Sequence, residues 1–171
     1  MNINFRKVEP SDLNKFRVWY ERIGGSELFS NFIPSTFVSL EESKGLLWFI
    51  ILDDEEEIGT IWFERRDQET RCYDLGIYLN RIDLFGNGIG KEAIHTATET
   101  ILSREDAREL CLDVRKGNFR AIRCYKKLGF ATIHEGEKVT ASGKIKFQRM
   151  RLSRQEPDHR TFKNDISKGQ M

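Results

Sequence analysis

The chain has 171 residues, 39% of them apolar and 32% charged, a balance that fits one folded domain with a sizeable core and excludes a disordered chain. Its formal net charge of +1 provides no global field toward nucleic acid or a membrane surface, so electrostatic recognition has to be local. Cys72, Cys111 and Cys124 are odd in number and widely spaced, which argues against a disulfide framework or a metal site and points to a reducing, cytoplasmic setting. The N-terminal MNINFRKVEP has no apolar core of a secretory signal, and the longest apolar run, residues 46–52, is too short to cross a bilayer.

Taken in order, residues 3–8 read as a strand. Pro10-Ser11-Asp12 then opens a helix with the stripe Leu13, Phe16, Tyr20 and Ile23, ended by Gly24-Gly25. Residues 26–38 are aromatic and irregular, and Ser39-Leu40-Glu41-Glu42 has the spacing of a capping box, which predicts a short helix. Residues 46–52 read as a strand buried on both faces, and residues 58–65 pair with it across the acidic run Asp53-Asp54-Glu55-Glu56-Glu57, expected to be a solvated hairpin tip. In the strand 72–79, Tyr73, Leu75, Ile77 and Leu79 share the predicted core face, while Cys72, Asp74, Gly76 and Tyr78 share the other. A glycine inside a strand often marks a close approach to the backbone, so Gly76 draws notice. A helix over 90–103 with Ala93, Ile94, Ala97 and Ile101 inward, a strand over 110–114 and a helix over 118–128 follow. The last of these carries the stripe Ala121, Ile122, Tyr125 and Leu128, with Gly129 at the position of a terminating glycine. Residues 130–135 and 147–152 read as closing strands, so residues 1–153 form one domain and residues 154–171 a polar tail.

Between a strand and a helix lies Phe85-Gly86-Asn87-Gly88-Ile89-Gly90-Lys91. Alternating glycines let backbone N–H groups converge, and the helix behind them adds its unpaired N–H groups and the positive end of its dipole: a cradle for phosphate or pyrophosphate. A Walker A loop would need glycine where Phe85 stands and Ser or Thr where Glu92 stands. Gly88-Ile89-Gly90-Lys91-Glu92-Ala93 does match a dinucleotide fingerprint, with Asp113 at a suitable distance. That fold, however, needs its glycines directly after the first strand, and here several strands precede them.

The loop Gly86-Asn87-Gly88-Ile89-Gly90 resembles motif A of the GNAT superfamily of N-acetyltransferases, Gln/Arg-x-x-Gly-x-Gly/Ala. Residues 118–130 resemble its motif B, Asn-x-x-Ala-x-x-x-Tyr-x-x-x-Gly-Phe, and Asp74-Leu75-Gly76-Ile77-Tyr78 is similar to the strand that often precedes motif A. The resemblance covers residues 3–152. It departs from the pattern at Phe85, where Gln or Arg is usual, so binding would lean on backbone N–H groups.

What the resemblance implies is an α+β domain whose mostly antiparallel sheet splits near its middle, with helices flanking it and acetyl-CoA wedged in the split. The acetyl group would pass directly to a primary amine of a small molecule or a protein N-terminus, with no metal. Tyr125 would protonate the departing CoA thiolate, its acidity raised by nearby basic residues. Asp74 would take the proton of the attacking amine, with Glu64 a weaker candidate. Cosubstrate contacts would come from Ile77, Tyr78 and Leu79, whose backbone would bind the pantetheine arm and polarise the thioester, and from Gly86, Asn87, Gly88, Ile89, Gly90 and Lys91. Asn118 is a helix cap, a pantetheine contact, or both. The acid-free run 115–127 either meets CoA phosphates or is a solvated helix face. The aromatics Trp19, Tyr20, Phe29, Phe32 and Phe37 wall the acceptor site or belong to the core. A CoA-binding module without turnover and a dinucleotide-binding domain are the alternative readings. Neither nucleic acid nor membrane is expected as a partner, and a homodimer is left open.

Overall fold

The computed structural model describes residues 1–29, 31–66, 69, 71–103, 105, 107–140 and 143–153; the tail expected at 154–171 lies outside the described residues. Seven strands form one sheet: β1 (Ile3–Lys7), β2 (Leu46–Asp53), β3 (Glu56–Arg65), β4 (Cys72–Leu79), β5 (Glu109–Arg115), β6 (Ala131–Thr140) and β7 (Gly143–Ser153), in the order β1-β2-β3-β4-β5-β7-β6. The helices are α1 (Leu13–Arg22), the single turn α2 (Gly25–Leu28), α3 (Ile89–Ala97) and α4 (Phe119–Lys127).

Neighbouring strands run antiparallel except β4 and β5, which are parallel and pair only from Cys72 to Asp74 with Glu109 to Cys111. Beyond Asp74 the two strands part. β4 stays with β3 as far as Leu79, and β5 stays with β7 as far as Arg115. The sheet is therefore two half-sheets hinged at a short parallel seam, as the resemblance implied.

Strand alternation gives the β1–β4 half of the sheet two apolar faces. Ile61, Phe63, Tyr73, Leu75 and Leu79 pack with Ala93, Ile94 and Ala97 of α3 and Tyr125 of α4. Trp48, Ile50, Trp62 and Tyr78 pack on the opposite face with Phe16 and Trp19 of α1 and, at its margin, the aromatic loop residues Phe29, Phe32 and Phe37. The second face of β4 is thus also core, and the reason for Gly76 becomes clear. A Cβ there would lie 2.1 Å from the Trp62 indole, so the group that approaches this glycine is a tryptophan, not a ligand.

Four local expectations are corrected. Residues 39–42 form turns rather than a helix: Ser39 Oγ accepts from the Glu42 N–H at 3.1 Å, and no apolar periodicity carries the turn further. The helix over 90–103 begins at Ile89 and passes after Ala97 into a π turn, Thr98–Leu102. The extra residue in that turn shifts the register, so Leu102 is fully buried where Ile101 was expected. The acidic hairpin is not wholly solvated, because Glu57 pairs with Arg6 and with Lys15 at 2.8 Å. The closing strands are longer than their apolar stretches, since β6 continues as a largely exposed ribbon whose pattern carries no burial signal. Among the described residues no helix is long and apolar enough to cross a membrane, and no cluster of His, Cys, Asp and Glu suits a metal ion.

Candidate active site

The glycine loop runs directly into α3. Gly86 and Gly88 have φ of +84° and +81°, conformations that a side chain resists, and Gly88 is the residue that caps α3. A Cβ at Gly86, Gly88 or Gly90 would meet nothing within 4 Å, so the space before the helix N-terminus is open. This is the geometry of a phosphate cradle. Of the neighbours expected beside the glycines, Lys91 lines the same groove. Asn87 instead turns its amide to the Asp83 carbonyl at 3.0 Å, and Ile89 is buried in the core.

The groove continues along β4 as a cavity of about 290 Å3, walled by Ile77 and Leu79 on one side and by Asn118, Ala121 and Tyr125 on the other. The Asn80 N–H donates to the Ile58 carbonyl at 2.9 Å, on the β3 side. In a strand the polar groups of successive residues point to opposite edges, so the N–H groups of Ile77 and Leu79 face the edge that β5 has left. Tyr78 also borders the groove, but in a different orientation. Its backbone turns to β3, and its buried side chain lies on the other face, where the hydroxyl donates to the Phe32 carbonyl at 3.0 Å and pins the aromatic loop.

Tyr125 sits where this groove meets a second cavity. Helix α4 places it there: Asn118 caps the helix by accepting from the Ala121 N–H at 3.2 Å, and Gly129 ends it with φ +94°. Burial pushes the Tyr125 hydroxyl well above its ordinary pKa, with a smaller contribution from Cys124. The expectation that the basic residues around it would acidify it is therefore corrected: desolvation sets the direction, and the hydroxyl stays protonated as a hydrogen-bond donor. Asn118 is buried and borders both cavities, so its cap role and its position at the site coexist.

The second cavity, of about 170 Å3, lies on the far side of the seam and contains Glu64, Asp74 and Asp113 together with Arg149. Arg149 bridges Asp74 to Asp113, the latter at 2.8 Å, and Arg66 lies 3.4 Å from Asp74. Burial nevertheless raises the Asp74 carboxyl above its ordinary value, aided by Asp113 and Glu64 and opposed by Arg66. Burial likewise raises Asp113, against Lys138. Glu64 is occupied by the Thr36 N–H and hydroxyl, both at 2.7 Å, and by Ser35, so it braces the loop. Arg115 reaches back from β5 to the carbonyls of Glu27 and Phe29, both at 3.0 Å, and ties that loop across the split. Of the aromatics expected at the acceptor site or in the core, Phe29 lines this cavity, whereas Trp19 is core. Arg115, Phe147 and Arg149 also line this cavity, and sequence reasoning misses them there because each is placed by strand pairing and belongs to no local motif.

A sheet opened at its parallel seam, with a glycine-lined helix N-terminus at one end of the opening and a buried tyrosine at its centre, defines an acyltransferase built around a long phosphate-bearing thioester. Residues 2–131 match the acetyltransferase (GNAT) domain model, and the chain belongs to the GNAT acetyltransferase family. A kanamycin resistance protein from Rhizobium radiobacter is 30% identical over 87 residues, which is 51% of this chain and 77% of that protein. Among solved structures, aminoglycoside acetyltransferase AAC(6')-Ib in complex with coenzyme A superposes with a TM-score of 0.70 at 19% identity, covering 90% of this chain and 95% of that one. The spermidine N-acetyltransferase from Vibrio cholerae in complex with CoA and spermine gives a TM-score of 0.70 at 15% identity, covering 89% and 95%. At these identities the two structures establish a common fold.

Proposed function

We propose that this N-acetyltransferase moves the acetyl group of acetyl-CoA directly to a primary amine of a small cationic molecule, in the cytoplasm. The observation that carries the reading is the meeting of two cavities at Phe29, Ile77, Asn118 and Tyr125, where the sheet divides. The groove with the glycine cradle suits the pyrophosphate and pantetheine. The smaller cavity is lined by Glu64, Asp74 and Asp113 beside Arg115, Lys138 and Arg149, a mixed polar wall that suits a hydrophilic amine better than an apolar one. A protein N-terminus is the second acceptor class. The three free cysteines, two of them buried, suit a reducing compartment.

In this scheme the free amine attacks the thioester carbonyl carbon. The N–C bond forms, the C–S bond breaks, and CoA leaves as a thiolate that accepts a hydrogen bond or proton from the Tyr125 hydroxyl. The nitrogen loses its proton to Asp74, directly or through water. Its carboxyl, raised by burial, is a better base than a solvated aspartate, and Arg149 and Arg66 hold it in place. The N–H groups of Ile77 and Leu79 face the arm of the thioester and the oxygen on which charge develops.

The test is a panel of amines with acetyl-CoA, read by release of free thiol. Polyamines and amino sugars are expected to turn over and neutral monoamines to lag. Tight CoA binding with no thiol release from any amine, including N-terminal peptides, would replace the enzyme with a CoA-binding module.

A further inference from the structure

The mouth of the cosubstrate groove is spanned by a contact between its two walls. Phe85 ends the turn before the glycine loop, its N–H fixed to the Ile82 carbonyl at 2.9 Å and its ring packed at the edge of both apolar clusters. Arg120 stands in the first turn of α4, on the opposite side of the split, and its guanidinium lies over the Phe85 ring with 4.1 Å from Cζ to the ring centre. Both residues line the groove, alongside Gly86, Gly88 and Lys91. No carboxylate among the described residues pairs with Arg120.

We infer that Arg120, laid on Phe85, is the cation that binds the cosubstrate's pyrophosphate, doing from α4 what residue 85 does not do from the loop. The inference rests on the acetyl-CoA reading of the groove. A guanidinium placed over an aromatic face keeps its N–H donors in its own plane, free at the edges, and that fork matches phosphate oxygens. The ring holds an otherwise long and mobile side chain at the loop, so less rotamer freedom is lost on binding. A lysine would keep the charge but lose both the stack and the fork. Because Arg120 belongs to the β5–α4 wall and the glycines to the β4–α3 wall, a pyrophosphate held by both also links the two half-sheets.

Calorimetric titration with CoA, dephospho-CoA and pantetheine tests this. Charge-assisted hydrogen bonds are worth about 1.5–3 kcal/mol, so Arg120→Ala is expected to weaken CoA and dephospho-CoA alike by roughly 10- to 100-fold and to leave pantetheine unchanged. Arg120→Lys should recover part of the loss. The double variant Phe85→Arg/Arg120→Ala should recover most of it by returning the cation to the loop. Arg120 is exposed, so its removal leaves the fold intact, which an unchanged melting temperature confirms. Binding of Arg120→Ala within about twofold of wild type for both nucleotides overturns the inference. So does a loss seen with CoA but not with dephospho-CoA, which would put Arg120 on the 3′-phosphate. A double variant no tighter than Arg120→Ala overturns the exchange between the two positions. Wild-type protein that binds no CoA at all would reject the cosubstrate reading itself, a distinguishable result.

Discussion

In the proposed mechanism Tyr125 and Asp74 divide the proton movements of the reaction between them, and burial acts on both in the same direction. An ordinary thiol is already a stronger acid than tyrosine by about 2 kcal/mol, and desolvation of Tyr125 widens that gap. Complete proton transfer to the thiolate is therefore uphill, and the hydroxyl contributes chiefly by donating a hydrogen bond as the C–S bond lengthens. Tyr125→Phe keeps the ring and its contact with Phe130, so the fold should persist. Turnover should fall by roughly 10²–10⁴-fold with the acetyl-CoA dissociation constant little changed. Unchanged turnover on a good acceptor would leave the site intact and remove the tyrosine from the chemistry. As the proposed base, Asp74 should set the acid side of the pH profile. Its carboxyl is raised, so it is protonated and unable to accept a proton over a wider acidic range than a solvated aspartate. Asp74→Asn should lower turnover near neutrality and move the profile to higher pH, where the amine is free without help. A profile that keeps its shape would assign the base elsewhere.

The α3 and α4 modules were legible because each is written locally. Glycines fix a turn, an asparagine caps a helix, and a tyrosine about two turns further on follows from helix geometry. Gly88 tests the first of these. Valine at φ +81° is strained by its own backbone, and its branched side chain would stand in the open space that the phosphate needs. Gly88→Val should abolish CoA binding by calorimetry while pantetheine-sized fragments still enter the groove. Near-wild-type affinity would dismiss the cradle. What stayed hidden was set by pairing between distant strands. Arg149 reaches Asp74 only because β7 lies beside β5 at the seam, and the meaning of Gly76 depends on Trp62 in the adjoining strand. The ion network of Arg6, Asp12, Lys15 and Glu57 was hidden for the same reason, since it joins β1, the start of α1 and the acidic hairpin. Asp12 is buried there, and the Arg6 guanidinium holds its carboxyl far below the usual range. A depressed folded pKa contributes stability that is present above the unfolded value, about 3.9, and is lost as pH falls toward the folded one. Urea melts should therefore show stability dropping below about pH 4, and Asp12→Asn should be less stable at pH 7 with a flatter acid limb. An acid limb of equal slope in the variant would show that other carboxylates govern it.

Across the whole molecule, the seam from Cys72 to Asp74, continued by the Arg71 carbonyl, joins the strands that part, and the site exists because that link is short. A longer parallel pairing would satisfy the backbone of residues 75–79 and close the groove, whereas the observed one leaves the Ile77 and Leu79 N–H groups turned toward it. Binding in this space has two consequences that can be measured together. A ligand bound only by the folded state stabilises it, by about 2.7 kcal/mol at a hundredfold excess over its dissociation constant, which for a chain of this size is roughly 5–10 °C in melting temperature. Acetyl-CoA should produce that shift and NAD should not. The gain should also be local: in hydrogen exchange, the Ile77 and Leu79 amides should slow on binding more than those of Gly76 and Tyr78, which already face β3. Protection spread evenly along β4 would mean that the ligand tightens the fold without lying in the split. A melting shift with NAD and none with acetyl-CoA would place a different phosphate ligand on the glycine loop.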